Sequence, residues 1–255
     1  MTDANITLPP ALSRALDLLI EPPANPDVSK GYLDLLGDQA EAAPKNTGRI
    51  QALWASPLGS LLYDNAQALG RRVFTLWQQP TEWLNIPAGG TALDIGCGPG
   101  NVTSALAAAA GTDGLALGVD ISVPMLTRAV RAEAGPQVGF VRADAQRLPF
   151  RDASFDAVVS IAAFQLIPDL DATIAEIARV LRPSGRVAVM VPTVGRAARL
   201  LTKLPNSGAH IFDEDELGDL FEARGFVGVR TSNFGSVQWV RAKHPGAAAG
   251  EHQHR

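Results

Sequence analysis

Residues 93–101 read "LDIGCGPGN". Asp94 closes an apolar run, and Gly96, Gly98 and Gly100 then fall at every second position. Glycine removes the side chain that would hold a ligand away from the main chain. The stretch therefore suits a molecule that lies directly on backbone atoms. Two more carboxylates follow short apolar runs, Asp120 after "LGV" and Asp144 after "FVRA". A carboxylate at a strand end can accept two hydrogen bonds from a ribose diol, or one from an adenine amino group. Together these residues read as a recognition site for a nucleoside.

Two ligand classes use such a loop. A dinucleotide sets its pyrophosphate on the helix N-terminus that follows the glycines. S-adenosylmethionine uses the same turn without a phosphate. The dinucleotide fingerprint is G-x-G-x-x-G. Counted from Gly96, its third glycine falls on Asn101, and Pro99 stiffens the middle of the loop. The dinucleotide pattern thus fails by one residue. Asp120 alone suits either ligand.

The elements that position these residues follow from hydrophobic patterning. "TALDI" (91–95), "LALGV" (115–119), "QVGFV" (137–141), "FDAVVS" (155–160) and "RVAVMV" (186–191) are short, nearly continuous apolar runs. Such runs predict strands buried on both faces, hence a parallel sheet. Between the last two, Ile174, Ile177, Ala178 and Leu181 make one helical stripe with Asp169 and Asp171 at its start. "RPSG" (182–185) is expected to stop that helix. Strands alternating with helices predict a Rossmann-like, doubly wound α/β sheet with right-handed crossovers.

Farther along, "FDEDELGDLFEARGF" predicts a helix, with Asp213 as N-cap, Glu216 completing a capping box and Gly225 as the stop. "VGVRTSNFGSVQWVRA" predicts a final antiparallel pair at the edge of a seven-stranded, mostly parallel sheet. Residues 195–204 read as a basic amphipathic helix or lid. The expected organisation is a helical extension over 1–85, the α/β domain over 86–243 and a disordered tail over 244–255. The extension carries the stripe Leu58, Leu61, Leu62, Ala66, Leu69, Val73, Leu76 and Trp77. It either covers apolar surface or caps the cleft.

Composition bounds the rest. The 255 residues are 46% hydrophobic and 19% charged with a net charge of −4, an ordinary balance for a globular protein. No dense Lys or Arg run marks a nucleic-acid surface. The single cysteine, Cys97, cannot form an intrachain disulfide, which is consistent with a reducing compartment. The N-terminal stretch lacks the basic and apolar regions of a signal peptide. The apolar runs stop well short of the ~18 residues a membrane helix needs. A cytoplasmic location is the expectation. The tail histidines have no further metal ligands nearby in sequence, so no metal is expected.

Taken together, "LDIGCGPGN", "GVDIS", "VRADAQRLPFRDASFDAVVS" and "EIARVLRPSGRV" occur in the order and at about the spacing of class I S-adenosylmethionine-dependent methyltransferases. The chain resembles that family, and within it the enzymes of ubiquinone and menaquinone biosynthesis, over roughly residues 88–191. The resemblance implies S-adenosylmethionine as cofactor. It implies that Asp94, Gly96, Gly98 and Gly100 surround its methionine and ribose portions, with Cys97 contributing backbone. Asp120 would hold the ribose hydroxyls and Ile121 would lie against adenine. Asp144 and Ala145 would read the adenine edge, and Ser160 would lie near the sulfonium. Each aspartate could instead cap a local turn.

Two departures stand out. "RPSG" replaces the family's Pro-Gly-Gly, and Gln165 and Leu166 stand where relatives carry one or two histidines before a Pro-Asp pair. A general base from that place is therefore in doubt. Tyr63 in "SLLYDNAQ" resembles a Tyr-Asp pair that relatives set near the cofactor, but a packing tyrosine is the preferred reading. His210 reads as structural. The implied activity is methyl transfer to a small, lipophilic or aromatic acceptor by in-line displacement, with no nucleic acid and no membrane span as partners. An RNA or protein methyltransferase, a cofactor-binding protein without turnover and a nucleotide-dependent oxidoreductase stay open as alternatives.

Overall fold

The five residues of β2 (Thr91–Ile95) are all buried, as are Leu115–Val119 of β3 (Leu115–Asp120). A strand buried at every position must be covered on both faces. The computed structural model, which describes residues 8–37, 81–193, 210, 212–234 and 237–246, shows how. β2 pairs in parallel with β3 on one side and with β5 (Phe155–Ile161) on the other. Leu93 and Ile95 enter one core with Leu12 of α1 (Pro10–Asp17) and Ile174 and Ile177 of α4 (Leu170–Val180). Ala92 enters a second core with Leu106 of α2 (Asn101–Ala110) and Ala129 of α3 (Val123–Glu133). The doubly wound α/β fold follows from this division of alternate residues between two apolar layers.

The sheet has eight strands in the order β1-β4-β3-β2-β5-β6-β8-β7. β4 (Val138–Arg142) continues the parallel set beyond β3, and β6 (Leu181–Pro192) continues it beyond β5. The chain thus leaves β2 first to one side and then to the other, and a crevice opens at the carboxyl end of β2. The expected antiparallel pair is present: β8 (Val237–Lys243) pairs with β6, and β7 (Val227–Phe234) forms the outer edge with a register shift between Val227 and Arg230.

The strand beyond the expected seven is β1 (Leu33–Asp34), parallel to β4. Two residues are too few for any alternation to show in the sequence. A long-range ion pair holds them instead, Arg142 Nη1 to Asp34 Oδ2 at 3.0 Å. Part of the N-terminal extension is therefore built into the sheet. α1 adds to this, burying Ala11, Leu12 and Ala15.

The helix ends behave as their residues dictate. Asp169 accepts the Ala172 N–H at 2.9 Å and starts α4. "RPSG" lies inside the bounds of β6 as an irregularity, where pairing steps from Phe155–Leu181 to Ala157–Arg186. Glu216 Oε2 accepts the Asp213 N–H at 2.9 Å, but the helix begins later than expected, with Asp215 rather than Asp213 as N-cap. The helix it opens is α5 (Glu216–Ala223). Its end is a Schellman turn: Phe226 N–H donates to Phe221 O at 3.2 Å and Gly225 N–H to Glu222 O at 2.9 Å. Among the described residues, no helix is long and apolar enough to cross a membrane. The 58–77 stripe, Tyr63, the 195–204 segment and most of the tail lie outside the described residues.

Candidate functional site

The loop after β2 is fixed by its neighbours before any ligand arrives. Gly96 N–H and Cys97 N–H both donate to Val119 O, at 2.8 and 3.0 Å. Gly96 has φ +69, and a Cβ there would stand 2.3 Å from the Ala163 Cβ. Glycine is required at this position by both conformation and space. Gly98, at φ +52, differs: nothing lies within 4 Å of where its Cβ would be. The loop is tight against β5's exit at Gly96 and open at Gly98.

Asp120 ties this loop to the end of β3. Its Oδ2 accepts the Gly98 N–H at 3.0 Å and its Oδ1 accepts the Ser122 N–H at 2.8 Å. A carboxylate has about four acceptor positions, so these bonds leave acceptor capacity on the group. A carboxylate with capacity left can accept from a hydroxyl of a vicinal diol. Burial pushes the Asp120 carboxyl above its ordinary range, and the N–H groups of Ser122, Gly98 and Ile121 pull it back. Beside it, Ile121 is 45% exposed, an apolar surface at the strand end.

Asp94 is buried under the loop, where its Oδ2 accepts the Thr103 hydroxyl at 2.7 Å. Burial lifts its carboxyl from 3.8 to about 7; the Thr103 bond opposes the rise and the Asp120 charge adds to it. Burial likewise raises the Cys97 thiol well above its usual value, with Asp120 and Asp94 reinforcing the effect. A buried, protonated thiol is a poor nucleophile. What Cys97 offers this site is its backbone.

The remaining predicted residues stand close by, each with its own local partners. Asp144 organises the turn after β4: its Oδ1 accepts the Gln146 N–H at 2.9 Å and the Gln146 side-chain amide at 3.0 Å. Ala145, in the same turn, packs partly buried against the first core. Ser160 is buried in β5, and its hydroxyl donates to Ile95 O at 2.8 Å, joining β5 to the end of β2. The glycine loop and Asp120 are thus joined by a direct bond, and Asp94 is tied through Thr103 to the helix that follows the loop. Ser160 supports the same strand end, and Asp144 sits at the end of β4. Sequence reading missed Ala163, the wall of the loop at Gly96, and Arg142, whose Nε donates to Ile121 O at 3.3 Å. Neither carries a local signal, because each acts on a residue distant in sequence.

This arrangement has relatives. Residues 93–189 match the family described as a methyltransferase domain. The demethylmenaquinone methyltransferase of Roseiflexus castenholzii is 33% identical over 179 residues, 60% of this chain and 75% of that protein. The chain belongs to the S-adenosylmethionine-dependent methyltransferases. A second demethylmenaquinone methyltransferase, from Bacillus licheniformis, is 39% identical over 116 residues. That match takes in 45% of this chain and 50% of the relative, so the chain spans about half the length of that methyltransferase. A solved S-adenosylmethionine-dependent methyltransferase from Thermotoga maritima shares the fold, with a TM-score of 0.60 at 21% identity, covering 76% of this chain and 98% of that one. The family's cofactor fits the donor set described above. A bare loop, a carboxylate and an exposed apolar side chain follow one another at the carboxyl ends of β2 and β3.

Proposed function

We propose that this protein transfers the methyl group of S-adenosylmethionine to a small organic acceptor. The observation that carries the reading is Asp120, which braces Gly98 and Ser122 at the end of β3 and retains acceptor capacity. In this reading Asp120 holds the ribose diol, Ile121 lies under adenine and Asp144 faces the adenine edge. Asp94 and the Gly96–Gly100 loop face the methionine portion, and Ser160 steadies the strand end nearest the sulfonium. The sulfonium is already a good leaving group. The protein's task is to set the acceptor atom behind the methyl in line with the breaking C–S bond, and such positioning supplies much of the rate. A small, aromatic or lipophilic acceptor is favoured by the two demethylmenaquinone methyltransferases among the relatives.

Calorimetric titration with S-adenosylmethionine, S-adenosylhomocysteine and NAD tests the reading. Micromolar binding of the first two, and none of NAD, is the expected result. Tight NAD binding overturns it.

A further inference from the structure

The turn after β5 carries three features that the cofactor does not explain. Ala162 adopts φ +54, a left-handed conformation uncommon for a residue with a Cβ. Strain of this kind persists where the surroundings enforce it, often at functional sites. Gln165 follows in the 3₁₀ turn Phe164–Leu166, and its Nε2 donates to Ala162 O at 2.6 Å. A carbonyl only accepts, so that contact fixes which end of the amide is nitrogen. The other end, Gln165 Oε1, is buried without a hydrogen-bond partner among the described residues. The third feature is His210. Its backbone N–H donates to Gln165 O at 2.8 Å, and its Nε2 lies 2.6 Å from Glu216 Oε1. Glu216 is itself held by the Asp213 N–H on its other oxygen. The turn lies against the cofactor loop, since Ala163 abuts Gly96.

The geometry points to Gln165 and His210 as the acceptor end of the cleft, with His210 the general base for an acceptor hydroxyl and Glu216 the residue that positions it. This inference rests on the methyl-transfer reading above and deepens it to O-methylation. A carboxylate beside Nε2 requires the proton there, which leaves the lone pair on Nδ1. Amine and thiolate acceptors attack a methylsulfonium without prior deprotonation by such a pair, whereas a hydroxyl is a weak nucleophile until its proton is taken. The unpartnered Gln165 oxygen awaits a donor, and a second O–H on the acceptor supplies one.

The step balances. The acceptor O–H proton passes to His210 Nδ1, and the oxygen's electron pair forms the new O–CH3 bond. The CH3–S bond breaks with its pair staying on sulfur, giving neutral S-adenosylhomocysteine. The imidazolium, with 45% of its side chain exposed, returns its proton to water.

The test measures S-adenosylhomocysteine release under single-turnover conditions from S-adenosylmethionine. The probes are 2-naphthol and 1,4-dihydroxynaphthalene, with 2-naphthylamine as the matched amine. The hydroxyarenes are expected to turn over, the dihydroxy one faster, and the amine not. His210→Gln is expected to lower the rate about 100-fold or more while S-adenosylhomocysteine affinity stays within about twofold. Added imidazole is expected to restore part of the rate in His210→Gly, a rescue that a merely structural histidine would not give. Glu216→Gln, which keeps an acceptor for the Asp213 N–H, is expected to lower the rate about tenfold without changing cofactor affinity. Full activity in His210→Gln, or methylation of the amine but neither hydroxyarene, overturns the assignment. So does a protein that binds S-adenosylhomocysteine yet methylates none of the three. A wild-type protein that binds no S-adenosylhomocysteine overturns the proposed function, and this step with it.

Discussion

Asp120→Asn separates two jobs that one carboxylate performs. In the native protein Oδ2 takes the Gly98 N–H and Oδ1 takes the Ser122 N–H. An asparagine has one oxygen. Whichever way its amide turns, the NH2 faces one of those N–H groups, donor against donor. The same NH2 also cannot accept from a ribose hydroxyl. A hydrogen bond to a charged acceptor contributes about 1.5–3 kcal/mol, or about 10- to 150-fold in affinity. With one such bond lost and a loop amide unpaired, S-adenosylhomocysteine affinity should fall about 100-fold or more. Affinity alone does not tell ribose contact from loop bracing, so the assay needs a second ligand. Titration calorimetry with S-adenosylhomocysteine and its 2′-deoxy analogue, on both proteins, forms a cycle. The wild type should lose about 10- to 150-fold on removal of the hydroxyl, and the variant about twofold or less. Equal losses in both proteins would refute the reasoning: the hydroxyl would then meet something other than Asp120.

Three further outcomes follow from the same geometry. Gly96→Ala forces a left-handed alanine against Ala163 and should lose more than about 2 kcal/mol in urea unfolding. Gly98→Ala should lose only about 1 kcal/mol yet weaken S-adenosylhomocysteine binding about tenfold, because its methyl enters open space over the loop; the reverse pattern would sink the description. Asp94 holds its proton in the folded chain up to about pH 7 and loses it near 3.8 when unfolded. The folded state therefore binds more protons between those values, and stability should fall as pH rises through that window and level off above it. From pH 5 to pH 8 the loss is about 3 kcal/mol, and it should be largely absent in Asp94→Asn when denaturation is compared at the two pH values. Asp34→Ala leaves Arg142 without its carboxylate in a pair whose side chains are 5% and 12% exposed. It should cost about 3 kcal/mol in the same measurement, whereas a change below about 0.5 kcal/mol would mean that β1 is held by other contacts.

How far the sequence reached depended on whether a feature is local. β2, β3 and β5 were visible because burial on both faces demands mostly apolar residues, and the chain shows nearly continuous apolar runs there. The start of α4 and the end of α5 were visible because Asp169 and Gly225 meet backbone groups only a few residues away. β1 was not, since two residues have no period and their partner Arg142 lies 108 residues on. The cofactor loop was read from its glycines, but the reason for Gly96 is Ala163, which only strand order brings alongside. Ser160 reads from sequence as the last residue of a strand, and β5 runs one residue farther, to Ile161. That its hydroxyl turns to Ile95 O depends on β5 lying next to β2, 65 residues away.

The outer strand β7 has a consequence of another kind. An edge strand offers a half-ladder of N–H and C=O groups to which a strand from another molecule can add. In β7 that ladder is interrupted: Gly228 sits at φ +60 and the register slips between Val227 and Arg230. Arg230 then stands opposite Arg241, two like charges across one rung. Val227 and Phe234, both about half exposed, mark the apolar ends of the same strand. A sticky strand is thus made unattractive at its centre, by irregular backbone and by positive charge. Protection against edge-to-edge aggregation is lodged on the far side of the sheet from β1, in residues with no part in the cleft. Smoothing that strand, by a β-branched residue at 228 or an apolar one at 230, would favour fibrous stacking of copies while leaving the cofactor loop as it is.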